Sequence, residues 1–457
     1  MTDMPNTGNS ALYVRREMLA QQPPPPSTVG VVGWLRENLF RGPVNSTITV
    51  LILLMILWLA PGIASWAFID ATWNAKSLSE CRQLGEGACW AVIVERFGQF
   101  IYGFYPAEER WRPNLAFLLM LLAFAFALFD EVPGVSKEVW ARIRPGGLVF
   151  SAVFPFIAYW LIWGGSIWGP IGLVATPVVG YFAAVGVDKL NSQYGPFLPD
   201  TLPVPSIVGL VAALVWLLGG MQLVAGALTA ISPEFFPLWL PAVESKSLGG
   251  FLLATIIGVA GIVLSLPIGI LLALGRRSGL FFIQTVCIVF IECMRGVPLI
   301  TLLFVASTTL SFLFPPDSNL DELLRVVIMV TIFASAYMAE VIRGGLASLP
   351  PGQYEAADAM GLNYWQATRL IIMPQALKVS IPNIVNTFIG LFKDTTLVAV
   401  IGLLDVIGLI TATRADSAWN GINWELYIFA ALFFFIACFA MSRYSMYLER
   451  KLATDRR

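Results

Sequence analysis

Ten apolar stretches of this 457-residue chain, among others that are more polar or shorter, carry no charged residue, and several are longer than a bilayer is thick. They run 42–69, 113–129, 145–187, 201–233, 247–275, 278–291, 296–316, 326–339, 379–392 and 426–442. At about 1.5 Å per residue, roughly 20 apolar residues in a helix cross the hydrocarbon core, and 145–187 is long enough for two passes. The runs are continuous rather than alternating, which argues for helices and against a transmembrane barrel. Only 12% of the residues are charged, where a soluble domain has about 25%. The sequence therefore predicts an all-α integral membrane protein with about ten transmembrane helices, eight on a conservative count.

Composition also removes several functions. The formal net charge is −1, so no basic footprint points to nucleic acid. Histidine is absent, which takes away His-based catalysis, most His-containing metal sites and the usual pH switch; no metal site is expected. No Gly-Lys dipeptide occurs, so no Walker A loop can be built and any ATP and magnesium must be bound by another chain. No cofactor is expected in this one. Cys287, Cys293 and Cys438 fall in apolar segments and read as small hydrophobes. Cys81 and Cys89 sit in a polar loop, where two readings stand: a short-loop disulfide on an oxidising face, or two free thiols.

Lys and Arg near helix ends set the orientation. Arg15, Arg16, Arg36 and Arg41 precede the first apolar segment; Lys137, Arg142 and Arg144, then Arg276 and Arg277, mark inside loops; Arg443, Arg450, Lys451, Arg456 and Arg457 mark the C-terminus. Both termini are expected in the cytoplasm. Asp317, Asp321 and Glu322 give an acidic outside loop. The first 40 residues are polar, contain Pro23 to Pro26 and show no secretory signal; 1–46 is expected to be a flexible tail. An N-terminal transmembrane extension then spans 47–245, with an outside loop at 70–112 holding five Lys/Arg against six Asp/Glu, expected as a small folded unit. Within it, 171–187 and 207–229 read as an inserted helix pair or a re-entrant hairpin. A core of five helices spans 246–450, and 451–457 is a cytoplasmic tail. The core's second segment, 280–313, is expected to break at Arg295-Gly296-Val297-Pro298, where proline disrupts regular helix. Strands are not indicated.

Between the third and fourth core helices, 346–374 forms an inside loop. Its residues Glu355, Ala356, Ala357, Gly361 and Pro374 are spaced E-A-A-x3-G-x9-I-x-M-P. Pro350 and Pro351 stop the incoming helix, Ala356, Ala357 and Ala359 offer small surfaces that fit a groove, Gly361 allows a sharp turn, and Pro374 is expected to start the outgoing helix. This stretch resembles the EAA coupling loop of ABC importer permeases. Ser335-Ala336-Tyr337-Met338-Ala339-Glu340, Leu349 to Tyr354, Met373-Pro374-Gln375-Ala376 and Phe392 to Leu397 resemble the permeases of polar amino-acid ABC importers (the HisM-type family), notably the larger permeases of the glutamate/glutamine/aspartate/asparagine (Bzt) and general L-amino-acid (Aap) systems. The resemblance is dense from about 245 to 450 and looser before.

The resemblance implies a five-helix type I importer core in the bacterial inner membrane, paired with a second homologous permease subunit. It also implies an ABC ATPase dimer docked on the coupling loop and a periplasmic binding protein. The cargo would be L-amino acids, chiefly acidic ones and their amides, moved into the cytoplasm by alternating access.

Charged residues inside the core are the remaining candidates. Glu292/Arg295 and Glu340/Arg343 are two copies of Glu-x-x-Arg-Gly, and i, i+3 spacing lets each pair neutralise itself. Counted along its segment, Glu292 lies roughly 18 Å in, where charge is costly and usually functional. Arg295, beside the broken helix, is a candidate for a substrate carboxylate, or half of a structural salt bridge. Glu340 and Arg343 are expected to orient the coupling loop. Lys393, Asp394, Thr395 and Thr396 end the fourth core helix; they suit a zwitterionic amino acid, or equally an internal ion pair. An ion-coupled secondary transporter is the alternative function, against which no inverted repeat is seen. An intramembrane enzyme finds no His, no Gly-x-Ser-x-Gly and no catalytic carboxylate pair.

Overall fold

The computed structural model describes residues 30–132, 134–194, 204–231, 239–313 and 321–452. The first helices are α1 (Gly30–Asn38), α2 (Pro43–Ala64) and α3 (Leu78–Leu84). Then come α4 (Ala91–Tyr102), α5 (Trp111–Leu128), α6 (Lys137–Trp163), α7 (Trp168–Tyr194), α8 (Val204–Val215) and α9 (Met221–Ile231). The C-terminal part holds α10 (Gly250–Arg276), α11 (Phe281–Gly296), α12 (Leu299–Phe304), α13 (Glu322–Ala347), α14 (Gly352–Ala359) and α15 (Tyr364–Ala367). Helices α16 (Met373–Asp394), α17 (Val406–Ala415) and α18 (Trp424–Leu452) complete it. Among the described residues, eight helical segments are long and apolar enough to cross a membrane. The α11–α12 pair makes a ninth, bent by 101° at the expected Pro298 break. A π-turn, Trp216–Gly220, joins α8 to α9, so the described part of the 201–233 window, 204–231, is helical too. Pro23 to Pro26, Arg15, Arg16, Asp317, Arg456 and Arg457 lie outside the described residues.

The chain forms two compact units. The first takes in residues up to Trp73 together with Cys81–Trp90. Only 6% of the apolar window of α2 is buried; its Leu, Ile and Met side chains are exposed all round, as in a helix solvated by lipid tails. After it, Cys81 and Cys89 form a disulfide across 5.9 Å between Cα atoms. Thr72 pairs with Cys89 as a parallel bridge, the Ala88 N–H donates to the Trp66 carbonyl at 2.8 Å, and the Trp90 indole donates to the Ala67 carbonyl at 2.7 Å. Residues 74–80 and 91–112 belong to the second unit. The 70–112 loop is thus divided between the two units rather than forming the single small folded unit expected.

The second unit runs across the 245/246 division without a break. Its centre is α10 against α13, with α12 and α16 closing a core of Leu253, Ile257, Leu303, Val326, Val330 and Val398. A second cluster sits at the other end of the same helices: Ala273, Ile291, Met338, Ile342, Leu346, Ile372 and Ala376. Gly345 sets how closely α13 crosses α16. A Cβ built there would lie 2.0 Å from the Ser380 Oγ and 2.6 Å from the Ala376 carbonyl oxygen, so only glycine admits this approach.

The insertion α7–α9 leaves and rejoins the unit at one place. Gly165–Ser166 pairs antiparallel with Trp239–Leu240, a two-residue ladder that the apolar pattern did not announce. Arg112, fully buried, donates to the Pro241 carbonyl at 2.9 Å and pairs with Glu109 at 3.2 Å. The two ends of the inserted segment are thus held together.

Candidate coupling and transport site

The 346–374 loop is a closed hairpin of two helices. Pro351 precedes α14, where its locked φ suits a first turn and its missing N–H costs nothing. Helix α14 ends in a Schellman motif: Gly361 N–H donates to the Asp358 carbonyl at 2.9 Å and Leu362 N–H to the Ala357 carbonyl at 3.2 Å. This closure needs the left-handed region, and Gly361 has φ +71°. Asn363 and Gln366 then form a reciprocal capping box that opens α15. Pro374 is the second residue of α16, in its first turn, as the sequence expected. The helical path already begins at Tyr364 and continues through a π-turn, Thr368–Ile372, into α16. In the first turn of α16 the proline's missing N–H costs little.

Which face the hairpin shows follows from its packing. Glu355, Ala356, Asp358, Ala359 and Met360 are exposed, whereas Ala357 is fully buried. Ala357 therefore faces the protein's own core rather than a partner groove, since α14 can lie flat on the bundle only on a small side chain. Two side-chain bridges hold it there. Arg277 donates to the Tyr354 hydroxyl at 3.0 Å with its guanidinium 5.6 Å from that ring, and Gln375 donates to Gln353 at 2.9 Å.

Directly behind the hairpin lies a five-residue charge cluster. Arg343 grips Glu340 with two hydrogen bonds, 2.9 and 2.6 Å. Arg276 meets Glu292 at 2.8 Å and Glu340 at 3.6 Å, and Arg295 lies 3.7 Å from Glu340. Only Glu340/Arg343 self-pairs at i, i+3; Glu292 and Arg295 each pair across helices instead. The depth expected for Glu292 is not met either. Helix α11 passes the end of α10, placing Cys287 against Gly275 and Glu292 against Arg276, the last residue of α10. Length along α11 is therefore not depth, and the Glu292 side chain is 52% exposed. Three guanidinium groups face two carboxylates, leaving one positive charge in excess. Arg295 stacks over Tyr337 at 5.6 Å, and its buried Nε has no hydrogen-bond partner.

At the far end of α16, Thr395 and Thr396 turn back on their own helix, donating to the Phe392 and Lys393 carbonyls at 2.8 and 2.9 Å. Their hydroxyls cap this helix end. Lys393 is exposed and Asp394 half-buried. Among the described residues Asp394 makes no hydrogen bond and no ion pair within 4.0 Å.

Residues 265–454 match the family described as "Binding-protein-dependent transport system inner membrane component". The chain is 52% identical over 455 residues to the glutamate/glutamine/aspartate/asparagine transport system permease protein BztC of Rhodobacter capsulatus, covering 97% of this chain and 99% of that one. The chain belongs to this permease family. It is also 37% identical to the inner membrane amino-acid ABC transporter permease protein YhdY of Escherichia coli, over 96% of this chain and 99% of that one. The probable glutamine ABC transporter permease protein GlnP of Bacillus subtilis is 33% identical, with 90% of its length matching only 44% of this chain. Some permeases of the family are thus about half as long as this one.

Several residues that shape the permease's site have no local sequence signal. Arg277 meets Tyr354 across 77 positions, and Tyr337 reveals its role only by lying under Arg295. Asp405 is a further case. Fully buried, it caps α17 by accepting from the Gly408 N–H at 2.9 Å, while its Oδ2 has no partner. Burial pushes its carboxyl up to about 6, against the Gly408 and Ile407 N–H groups that pull it down.

Proposed function

We propose that this permease is the membrane-spanning subunit of an ATP-driven importer of L-amino acids, chiefly acidic amino acids and their amides. The observation that carries this reading is the coupling hairpin: a rigid two-helix loop, bridged to neighbouring elements at Tyr354 and Gln353, that leaves Glu355, Ala356 and Asp358 exposed for a partner. A separate ABC ATPase docks there, and its closure is transmitted through Glu340, Arg343 and Arg276 to α13, α11 and α10. A second homologous permease completes the pore, and a periplasmic binding protein delivers the cargo. The substrate class is supported by the 52% identical relative, whose own system transports glutamate, glutamine, aspartate and asparagine. Both termini then face the cytoplasm and the Cys81–Cys89 loop the periplasm, where disulfides persist.

In the pathway, the Asp394 carboxylate, half-buried and unpaired, complements an ammonium group, and Lys393 a carboxylate. Arg295 offers its unsatisfied Nε beside the bend between α11 and α12, a place where transporters expose polar groups to cargo.

The test has two arms. Mild-detergent purification of the tagged chain from native membranes should recover an ABC ATPase and a second permease. Asp394→Asn should abolish uptake while leaving that complex intact; loss of the complex instead assigns Asp394 a structural role. A chain recovered alone that moves amino acids in liposomes without ATP makes it a secondary transporter.

A further inference from the structure

An open cavity of about 760 Å3 lies between the end of α5 and α18, lined by Phe129, Ala440, Arg443, Tyr444, Tyr447, Arg450 and Lys451. Two charge-free windows end at it: 113–129 stops at Phe129, and 426–442 stops before Arg443. The cavity therefore sits at the level where hydrocarbon gives way to headgroups. Its floor is built rather than incidental. The Tyr444 hydroxyl donates to the Leu128 carbonyl at 2.6 Å, tying α18 to the end of α5. Phe129 packs edge-on to Tyr444 at 5.5 Å, and Tyr447 follows at 6.3 Å.

The charges are unequally matched. Asp130, which does not line the cavity, holds Arg144 at 2.6 Å and also accepts from Lys451, so this neighbouring carboxylate is already shared between two cations. Among the described residues, Arg443 has neither an ion pair nor a hydrogen bond, and Arg450 bonds only to the Met446 carbonyl of its own helix. The nearest acid on the same helix, Glu449, is exposed and does not line the cavity. Positions 443, 447 and 450 share one helical face, so two guanidinium groups bracket a tyrosine ring. Planar guanidinium pairs bind phosphate oxygens bidentately, and the aromatic wall offers an apolar surface alongside them.

We propose that this cavity binds the phosphate of an anionic phospholipid headgroup, with Arg443 and Arg450 as its ligands and the Phe129–Tyr444–Tyr447 wall against the glycerol and upper acyl chain. Basic pockets between transmembrane helices hold anionic headgroups in this manner. The bound lipid covers the junction of the end of α5 with the last core helix.

The full-length permease in its purified complex is placed in nanodiscs of phosphatidylcholine containing a minor fraction of phosphatidylglycerol. It is then extracted into detergent, and the retained lipid is quantified by mass spectrometry. Phosphatidylglycerol should be retained in preference to phosphatidylcholine. The preference should fall about tenfold in R443Q/R450Q and persist in R443K/R450K, which keeps the charge and reports on folding. K137Q/R142Q, whose cations lie outside the cavity, should leave it unchanged. Inorganic phosphate added in excess should not displace the lipid; displacement, with phosphate bound in its place, makes this a free-phosphate site and overturns the lipid assignment. Equal retention of both lipids by the unmodified protein overturns it too. So does an R443Q/R450Q complex that keeps its lipid preference but sheds a protein subunit, which would assign the two arginines to a protein partner.

Discussion

Arg276 donates to Glu292 at 2.8 Å, and the same Nη1 lies 3.6 Å from Glu340. One guanidinium at the end of α10 thus joins α11 and α13 directly behind the coupling hairpin. Glu340 receives the most contacts, with Arg276, Arg295 and Arg343 all converging on it. A movement of α13 cannot leave the other two helices behind without breaking charged contacts.

Glu340→Gln should therefore cost more than removal of any one arginine, because it leaves three cations facing a single carboxylate. The cluster is partly exposed and screened, so about 1–2 kcal/mol of stability is expected. Thermal unfolding in detergent measures it. Uptake should fall further than stability alone accounts for; an unfolding temperature and uptake rate equal to the parent's would refute the cluster's role.

Gly345→Ala and Gly344→Ala form a matched pair. A Cβ at 345 meets the Ser380 Oγ and the Ala376 backbone, whereas one at 344 meets nothing within 4 Å. The first should destabilise by about 2 kcal/mol or more through overpacking, and the second should be nearly neutral. Similar unfolding temperatures for the two would mean that α13 and α16 do not cross as described.

Gly361→Ala tests the hairpin's closure. Nothing lies within 4 Å of the new Cβ, so the cost comes from the +71° φ alone, about 1–2 kcal/mol. Because the strain is local, membrane insertion and global unfolding should change little while ATPase co-purification weakens. Undiminished co-purification would show that the turn at 361 does not set the docking face.

Asp405 makes stability depend on pH. Its folded value, about 6, lies above the unfolded carboxyl, so between about pH 4 and 6 the unfolded chain binds fewer protons than the folded one. Stability should fall as pH rises through this window and level off above it, by an amount of order 1–3 kcal/mol. Asp405→Asn keeps an acceptor for the Gly408 N–H, so it should flatten that slope and raise the unfolding temperature at neutral pH. An unchanged pH profile would rule out Asp405 as the source.

Much of the architecture was legible because its causes are local. Membrane solvation forces helices wherever charge is absent for long enough, so the apolar windows map onto the observed helices, with the break at Pro298 among them. The hairpin closure at Gly361 was legible for a similar reason, since left-handed backbone is a property of a single residue. Pro374 in the first turn of α16 was legible too, whereas the π-turn that leads into it, Thr368–Ile372, carries no local signal.

What the sequence by itself determined is therefore the set of helices, the membrane as their solvent, and a coupling loop with a turn at Gly361. The tertiary structure alone decided which charges meet. Arg276 and Glu292, Arg277 and Tyr354, Gln353 and Gln375 are brought together by helices that cross at angles set by side-chain volume and by gaps such as Gly345. The way α11 passes the end of α10, placing Glu292 against Arg276, makes distance along the chain something other than depth in the membrane, and no count of residues in a segment contains that crossing.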